Sequence, residues 1–163
     1  MTAARQIYVK VAHHAVGREP DVLVTLGLGS CVAIVLHDPV ARLGGMAHVL
    51  LPEQNLAREV TNPAKFATTA IPLLVGEMAE MGARPERLRA RLVGGASMFA
   101  SLMTTGSLNM GERNVISSRQ VLRELGIPVL GEEVGADYGR SVRFHVGKGK
   151  VLVTSVGRED VSL

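Results

Sequence analysis

The chain has 163 residues and a formal charge of +3, with 47% hydrophobic and 20% charged residues, 18 glycines, 3% aromatics and one cysteine. That describes a single domain, residues 1–163, burying roughly two-thirds of its unfolded surface in a core of Val, Leu, Ala, Ile and Met. One cysteine excludes an internal disulfide, and scattered Lys and Arg without stacking aromatics argue against a nucleic-acid partner while leaving acidic protein partners open.

The opening MTAARQIYVKVAHH has no apolar leader, so a cytoplasmic location is expected. QIYVKVAHHAV alternates Ile7, Val9 and Val11 with polar neighbours and predicts a first strand, turned back by GREP. DVLVTLGLG predicts a second strand that bends at Gly27 and Gly29, with Ser30 and Cys31 just beyond. The apolar run Val22 to Leu36 is shorter than the ~20 residues of a membrane span and is broken by Gly and Ser, so no membrane insertion is expected.

CVAIVLH and RLGGMAHVLLP then read as a hairpin around the Asp38-Pro39 turn signal. A turn over Asp38 to Ala41 predicts pairing of Leu36 with Leu43, Ile34 with Gly45 and Val32 with Ala47, and sets Cys31 directly opposite His48. A one-residue slip would put the two on opposite faces. Asn62-Pro63 predicts a helix start and Gly82 its end, with Ala67, Ala70, Ile71, Leu74, Met78 and Met81 as the apolar stripe and a kink at Pro72. RLRARLVGG predicts a buried strand, GERNVISSRQVLREL a second helix closed by Gly126, and PVLGEEV and RSVRFHVGKGKVLVTSV the last strands. The order predicts an α+β fold: a mixed-sheet sandwich with two main helices rather than a doubly wound sheet.

Cys31 and His48 each have two readings. A lone cysteine is commonly a small buried hydrophobe, and a histidine in an apolar strand a satisfied core residue. Against that, Cys31 follows a Gly-Leu-Gly-Ser bend whose backbone N–H groups can line a concavity. His48 follows Gly44 and Gly45, where the strand backbone is clear for something to approach. An imidazole beside a thiol supplies the thiolate that attacks carbonyl carbon. The other histidines lack Cys or acidic partners at ligand spacing, so no metal site is expected, and GLGSCV lacks the third glycine of a dinucleotide loop. The glycine loops GGASMF and NMGERN either turn the chain or line the cleft.

TLGLGSCVAIVLHDPVARLGGMAHVLLP, GGASMF, NMGERNV and GRSVRFHVGKGKVLV, in that order from about Val22 to Val153, resemble the chemoreceptor glutamine deamidase family of bacterial and archaeal chemotaxis, called CheD. The resemblance implies a mixed α/β sandwich related to deamidating toxins. It also implies a cofactor-free hydrolase that converts glutamines of methyl-accepting chemotaxis receptors to glutamates. The family's nucleophile falls on Cys31, its histidine on His48 and its third active-site residue on Thr25, whose hydroxyl or carbonyl would orient the imidazole. Gly29, Ser30, Gly94, Gly95, Glu112, Arg113 and Asn114 are candidates for oxyanion or substrate contact. A CheC-type phosphatase is a second implied partner. A regulator of that phosphatase and a redox-sensing thiol are the alternatives to a deamidase. Where the family commonly has Asp-Val-Gly-Gly, this chain reads Glu133-Val134-Gly135-Ala136.

Overall fold

The computed structural model describes residues 4–98 and 109–163. Among them lie ten strands and two α-helices: β1 Gln6–Tyr8, β2 His14–Arg18, β3 Val22–Leu28, β4 Val32–Asp38, β5 Leu43–Val49, α1 Ala67–Glu80, β6 Arg89–Gly94, α2 Met110–Glu124, β7 Val129–Val134, β8 Arg140–His145, β9 Lys150–Thr154 and β10 Val161–Ser162. One five-stranded sheet has the order β1-β3-β8-β9-β10 and the other β2-β5-β4-β6-β7. Each contains one parallel pair, β1 with β3 and β6 with β7. Among the described residues, no helix is long and apolar enough to cross a membrane.

β4 explains the layering. Its seven residues are all buried because both of its faces are covered. Val32, Ile34 and Leu36 pack with Ile71, Leu74 and Met78 of α1 and with Val115, Val121 and Leu122 of α2. Ala33 and Val35 face the other way, joining Leu23, Met46, Val142, Phe144 and Val151 between the two sheets. The molecule is therefore sheet on sheet with helices on one outer face, the mixed α+β sandwich with two helices that the element order predicts.

Four local expectations are corrected. The first predicted strand is two, β1 and β2, which belong to different sheets and are separated by a turn in which Ala12 adopts φ 61°. The β4–β5 hairpin pairs Leu36 with Gly45, Ile34 with Ala47 and Val32 with Val49, a register two residues away from the predicted one. Its loop runs over four residues because Asp38 is held as the last strand residue. Its Oδ1 accepts from the N–H groups of Val40 and Ala41, while its Oδ2 accepts from the N–H of Arg84 and from Arg87. Arg42, at φ 53°, then bends the chain into β5.

Third, Asn62 does cap a turn, accepting from the N–H of Ala64, but that turn is the short 3-10 stretch Pro63–Lys65. Phe66 is extended and fully buried, so α1 starts after it and runs through an exposed Pro72 to the left-handed Gly82. Fourth, the room made by Gly44 and Gly45 is filled by packing. A Cβ on Gly44 would strike the Phe144 ring, and one on Gly45 would press on Leu74 and Met78 at 3.1 Å.

Candidate active site

Cys31 sits where the chain passes from one sheet to the other. A break in the β3–β8 register between Thr25 and Leu28, with Gly27 at φ 67°, leaves Leu26 and Gly27 at the surface. Gly29, Ser30 and Cys31 then carry the chain into β4. All three carbonyls of this bend are turned into the protein: Gly29 accepts from the N–H of Ala96, Ser30 from the Asn114 side chain and Cys31 from the N–H of Gly95. Gly94 must be glycine here, since at φ 111° a Cβ would run into the Cys31 carbonyl oxygen. Cys31 itself is 9% exposed. Burial pushes its thiol up from the usual range, opposed by its own backbone N–H, which favours the thiolate.

His48 lies on the same face of the same sheet. It pairs with Ala33, and Cys31 is two residues before Ala33, so sulfur and imidazole share the inter-sheet face as diagonal neighbours. Such positions lie roughly 7–8 Å apart, against the roughly 5 Å of directly opposed residues. The register shift thus keeps the common face but corrects the direct opposition, and no hydrogen bond joins the two residues. A shift of two preserves the face because strand side chains alternate with period two.

Thr25 comes from the other sheet. Its hydroxyl lies 2.6 Å from the Val9 carbonyl and 2.7 Å from His48 Nδ1. A hydroxyl has one hydrogen, and the Val9 carbonyl can only accept it, so Thr25 Oγ1 must accept from Nδ1–H. The proton of the neutral imidazole is thereby fixed on Nδ1, and Nε2 is left bare. Nε2 is buried and has no hydrogen-bond partner among the described residues. Burial holds the imidazole below its usual range, so it is neutral and basic at Nε2 around neutral pH.

The remaining predicted residues fall into two groups. Asn114 is fully buried, and its Nδ2 donates to the carbonyls of Ser30 and Leu50 at 2.9 and 3.1 Å. Gly95, at φ 65°, packs against Val115 and Gly111 at the start of α2. Glu112 is exposed and completes the helix cap, its N–H donating to Asn109 Oδ1 and its carboxylate accepting from Asn109 Nδ2. Arg113 lines a separate groove with Pro52, Glu53, Thr68 and Ser117. Phe99 of the GGASMF loop lies outside the described residues. The Val9 carbonyl, which decides the tautomer, is a partner that no sequence signal marks. Among the described residues, no group of three His, Cys, Asp or Glu side chains is placed to hold a metal.

The comparisons with known proteins agree with this architecture. Residues 50–155 match the family model described as CheD chemotactic sensory transduction. A protein of Caldanaerobacter subterraneus subsp. tengcongensis is 45% identical over 149 residues, covering 91% of this chain and 92% of its own. One of Desulforamulus reducens is 43% identical over 152 residues, covering 93% and 92%. Both carry the name "Probable chemoreceptor glutamine deamidase CheD". These overlaps are too long to leave out the segment from Thr25 to His48. Among solved structures, the Neisseria meningitidis protein NMB0706 superposes with a TM-score of 0.53 at 12% identity. That superposition covers 83% of this chain and 65% of that one, and at this identity it speaks for the fold alone. On the family match and on identity sustained along nearly the whole length, the chain belongs to the CheD family.

Proposed function

We propose that this protein is a cytoplasmic protein-glutamine deamidase that hydrolyses side-chain amides of methyl-accepting chemotaxis receptors, with Cys31 as nucleophile, His48 as proton carrier and Thr25 as its orienting partner. The observation that carries the reading is the Thr25–His48 hydrogen bond, which leaves a bare Nε2 on the face that also bears Cys31. The names of the CheD relatives support the choice of substrate.

His48 Nε2 takes the proton of the Cys31 thiol, and the thiolate attacks the glutamine carboxamide carbon. The carbonyl π pair moves onto oxygen, where backbone N–H groups of the Gly29–Cys31 bend stabilise the oxyanion. As the C–N bond breaks, the imidazolium gives its proton to the departing nitrogen, and ammonia leaves behind a thioester. Nε2 then accepts a proton from water, whose oxygen attacks the thioester carbon. The C–S bond breaks as the imidazolium returns that proton to sulfur, so a glutamate is released and the thiol and neutral imidazole are restored. Burial of both groups keeps thiol and imidazole neutral at rest. The ion pair therefore forms as the substrate closes the site, which also tightens catalytic contacts that are long without it.

The test is mass spectrometry of a receptor cytoplasmic fragment incubated with the protein. Wild-type protein converts glutamine to glutamate, and Cys31→Ala abolishes the conversion. An unchanged fragment with wild-type protein, or equal conversion by Cys31→Ala, refutes the reading.

A further inference from the structure

Resting on the deamidase reading for its chemistry but not for its geometry, we infer that Asn114 is a positioning residue that fixes the separation of the nucleophile and its base by clamping the open end of the β4–β5 ribbon. The last ladder pair is Val32 with Val49. Just beyond it stand the carbonyls of Ser30 and Leu50, two acceptors that cannot bond to each other. Asn114 Nδ2 donates to both, at 2.9 and 3.1 Å. This also settles the orientation of the amide, because an amide oxygen facing two carbonyl oxygens would repel both.

The two clamped residues bracket the chemistry. Ser30 immediately precedes Cys31, and Leu50 is two residues after His48. One side-chain nitrogen therefore ties the approach to the nucleophile to the exit from the histidine strand, where backbone pairing no longer does so. Asn114 is fully buried in the first turns of α2, and the helix carries it independently of the bond that Ser118 Oγ donates to its backbone carbonyl at 2.7 Å. On its other side, the Cys31 carbonyl is held by the N–H of Gly95. The bend can shift relative to His48 only if one of these ties breaks, and Asn114 is the only one of them that reaches both strands.

The inference separates Asn114 from a residue that merely stabilises the helix. Asn114→Ala leaves both carbonyls without a donor, and Asn114→Ser offers one hydroxyl hydrogen for two acceptors, which serves where the alanine variant fails to fold. Ser118→Ala removes a buried hydrogen bond from the same turn of α2 without touching either carbonyl, and is the stability control. Two readouts are compared: the kcat and KM for glutamine conversion in a receptor fragment, and the pH profile of Cys31 alkylation by iodoacetamide, which needs no substrate.

The Asn114 variants are expected to lower kcat roughly ten- to a hundredfold with KM changed less than about twofold. They are also expected to shift the alkylation profile, while Ser118→Ala with a similar loss of Tm leaves both near wild type. An alkylation profile shared by the Asn114 variants, Ser118→Ala and wild type overturns the clamp. A shifted profile in the Asn114 variants alone, in a protein that converts no glutamine, upholds the clamp and overturns the deamidase reading.

Discussion

Thr25 Oγ1 gives its hydrogen to the Val9 carbonyl and accepts the Nδ1–H of His48, so a neutral hydroxyl holds the imidazole where many hydrolases use a carboxylate. The difference is chemical as well as geometric. A buried carboxylate would stabilise the imidazolium strongly, whereas threonine orients the ring and adds no charge. On the proposed mechanism, the site relies on substrate binding to form its ion pair. Thr25→Val keeps shape and removes the hydroxyl, taking from Nδ1 its acceptor at 2.7 Å and leaving only the Val9 carbonyl beside the ring. It should lower kcat roughly ten- to a hundredfold. Thr25→Ser retains the hydroxyl and should keep most of the activity. Steady-state rates of the two variants check the argument, and equal losses in both would assign Thr25 to packing alone.

The two pKa directions predict the shape of the pH profile. Burial lowers the His48 imidazole and raises the Cys31 thiol, which widens the interval in which the pair holds one transferable proton. The acid midpoint of kcat/KM should therefore lie below the ordinary histidine value of about 6.5, and the alkaline midpoint above the ordinary cysteine value of about 8.5.

Stability follows with a definite sign. An unfolded chain takes up a proton on histidine near pH 6.5, about where model imidazoles titrate, while the folded site resists it. Folding is therefore weakened as pH drops from that value towards the lowered folded one. His37 adds to the same window, since burial also lowers its imidazole, opposed by its bond to the Val146 carbonyl. Urea midpoints at about pH 7.5 and about pH 5 should show the drop.

What the sequence made legible, and what it did not, follows from the range of the interactions. The common face of Cys31 and His48 is readable because strand alternation is local and survives a shift of two. The register is not, because Asp38 is pinned by Arg84 and Arg87, far along the chain. Alternation runs unbroken through Ile7, Val9 and Val11, so nothing local announces that the chain changes sheets after them. The two glycines before His48 do signal a close approach, yet only the fold says that Phe144 and α1 approach there rather than a ligand. Thr25 and His48 meet across two sheets, and only the family resemblance marks Thr25 in the sequence.

Asp38 makes a prediction at the opposite end of the ribbon from the active site. Its carboxylate is fully buried, but three backbone N–H groups and Arg87 outweigh the burial and hold it at about 2. A carboxylate lowered on folding stabilises the protein above its unfolded value and loses that contribution as pH falls through the folded one. Asp38 should therefore contribute about 2 kcal/mol near neutrality, lost between roughly pH 4 and the folded value. Asp38→Asn breaks the pairing with Arg87 and should cost about 3 kcal/mol. Denaturation of the variant should show a flatter response over that acid range, with kcat largely kept because the site lies at the other end of the strand.

The loop behind Cys31 predicts two substitutions of opposite sign. Gly135 N–H donates to the Gly94 carbonyl and Ser97 N–H to the Ala136 carbonyl, so these two loops move as one. Gly94, at φ 111° and pressed on the Cys31 carbonyl, tolerates no side chain. Gly94→Ala should destabilise by at least about 2 kcal/mol and displace Cys31, the proposed nucleophile, lowering kcat as well as Tm. Ala136 sits at φ 57°, a left-handed conformation that costs a residue with a Cβ roughly 1 kcal/mol. Ala136→Gly removes that strain, offset in part by the greater freedom glycine gives the unfolded chain. A net gain of a few tenths of a kcal/mol is expected, about 1 °C in Tm, with kcat unchanged. A fall in Tm for Ala136→Gly would mean that the alanine methyl makes packing contacts worth more than its backbone strain.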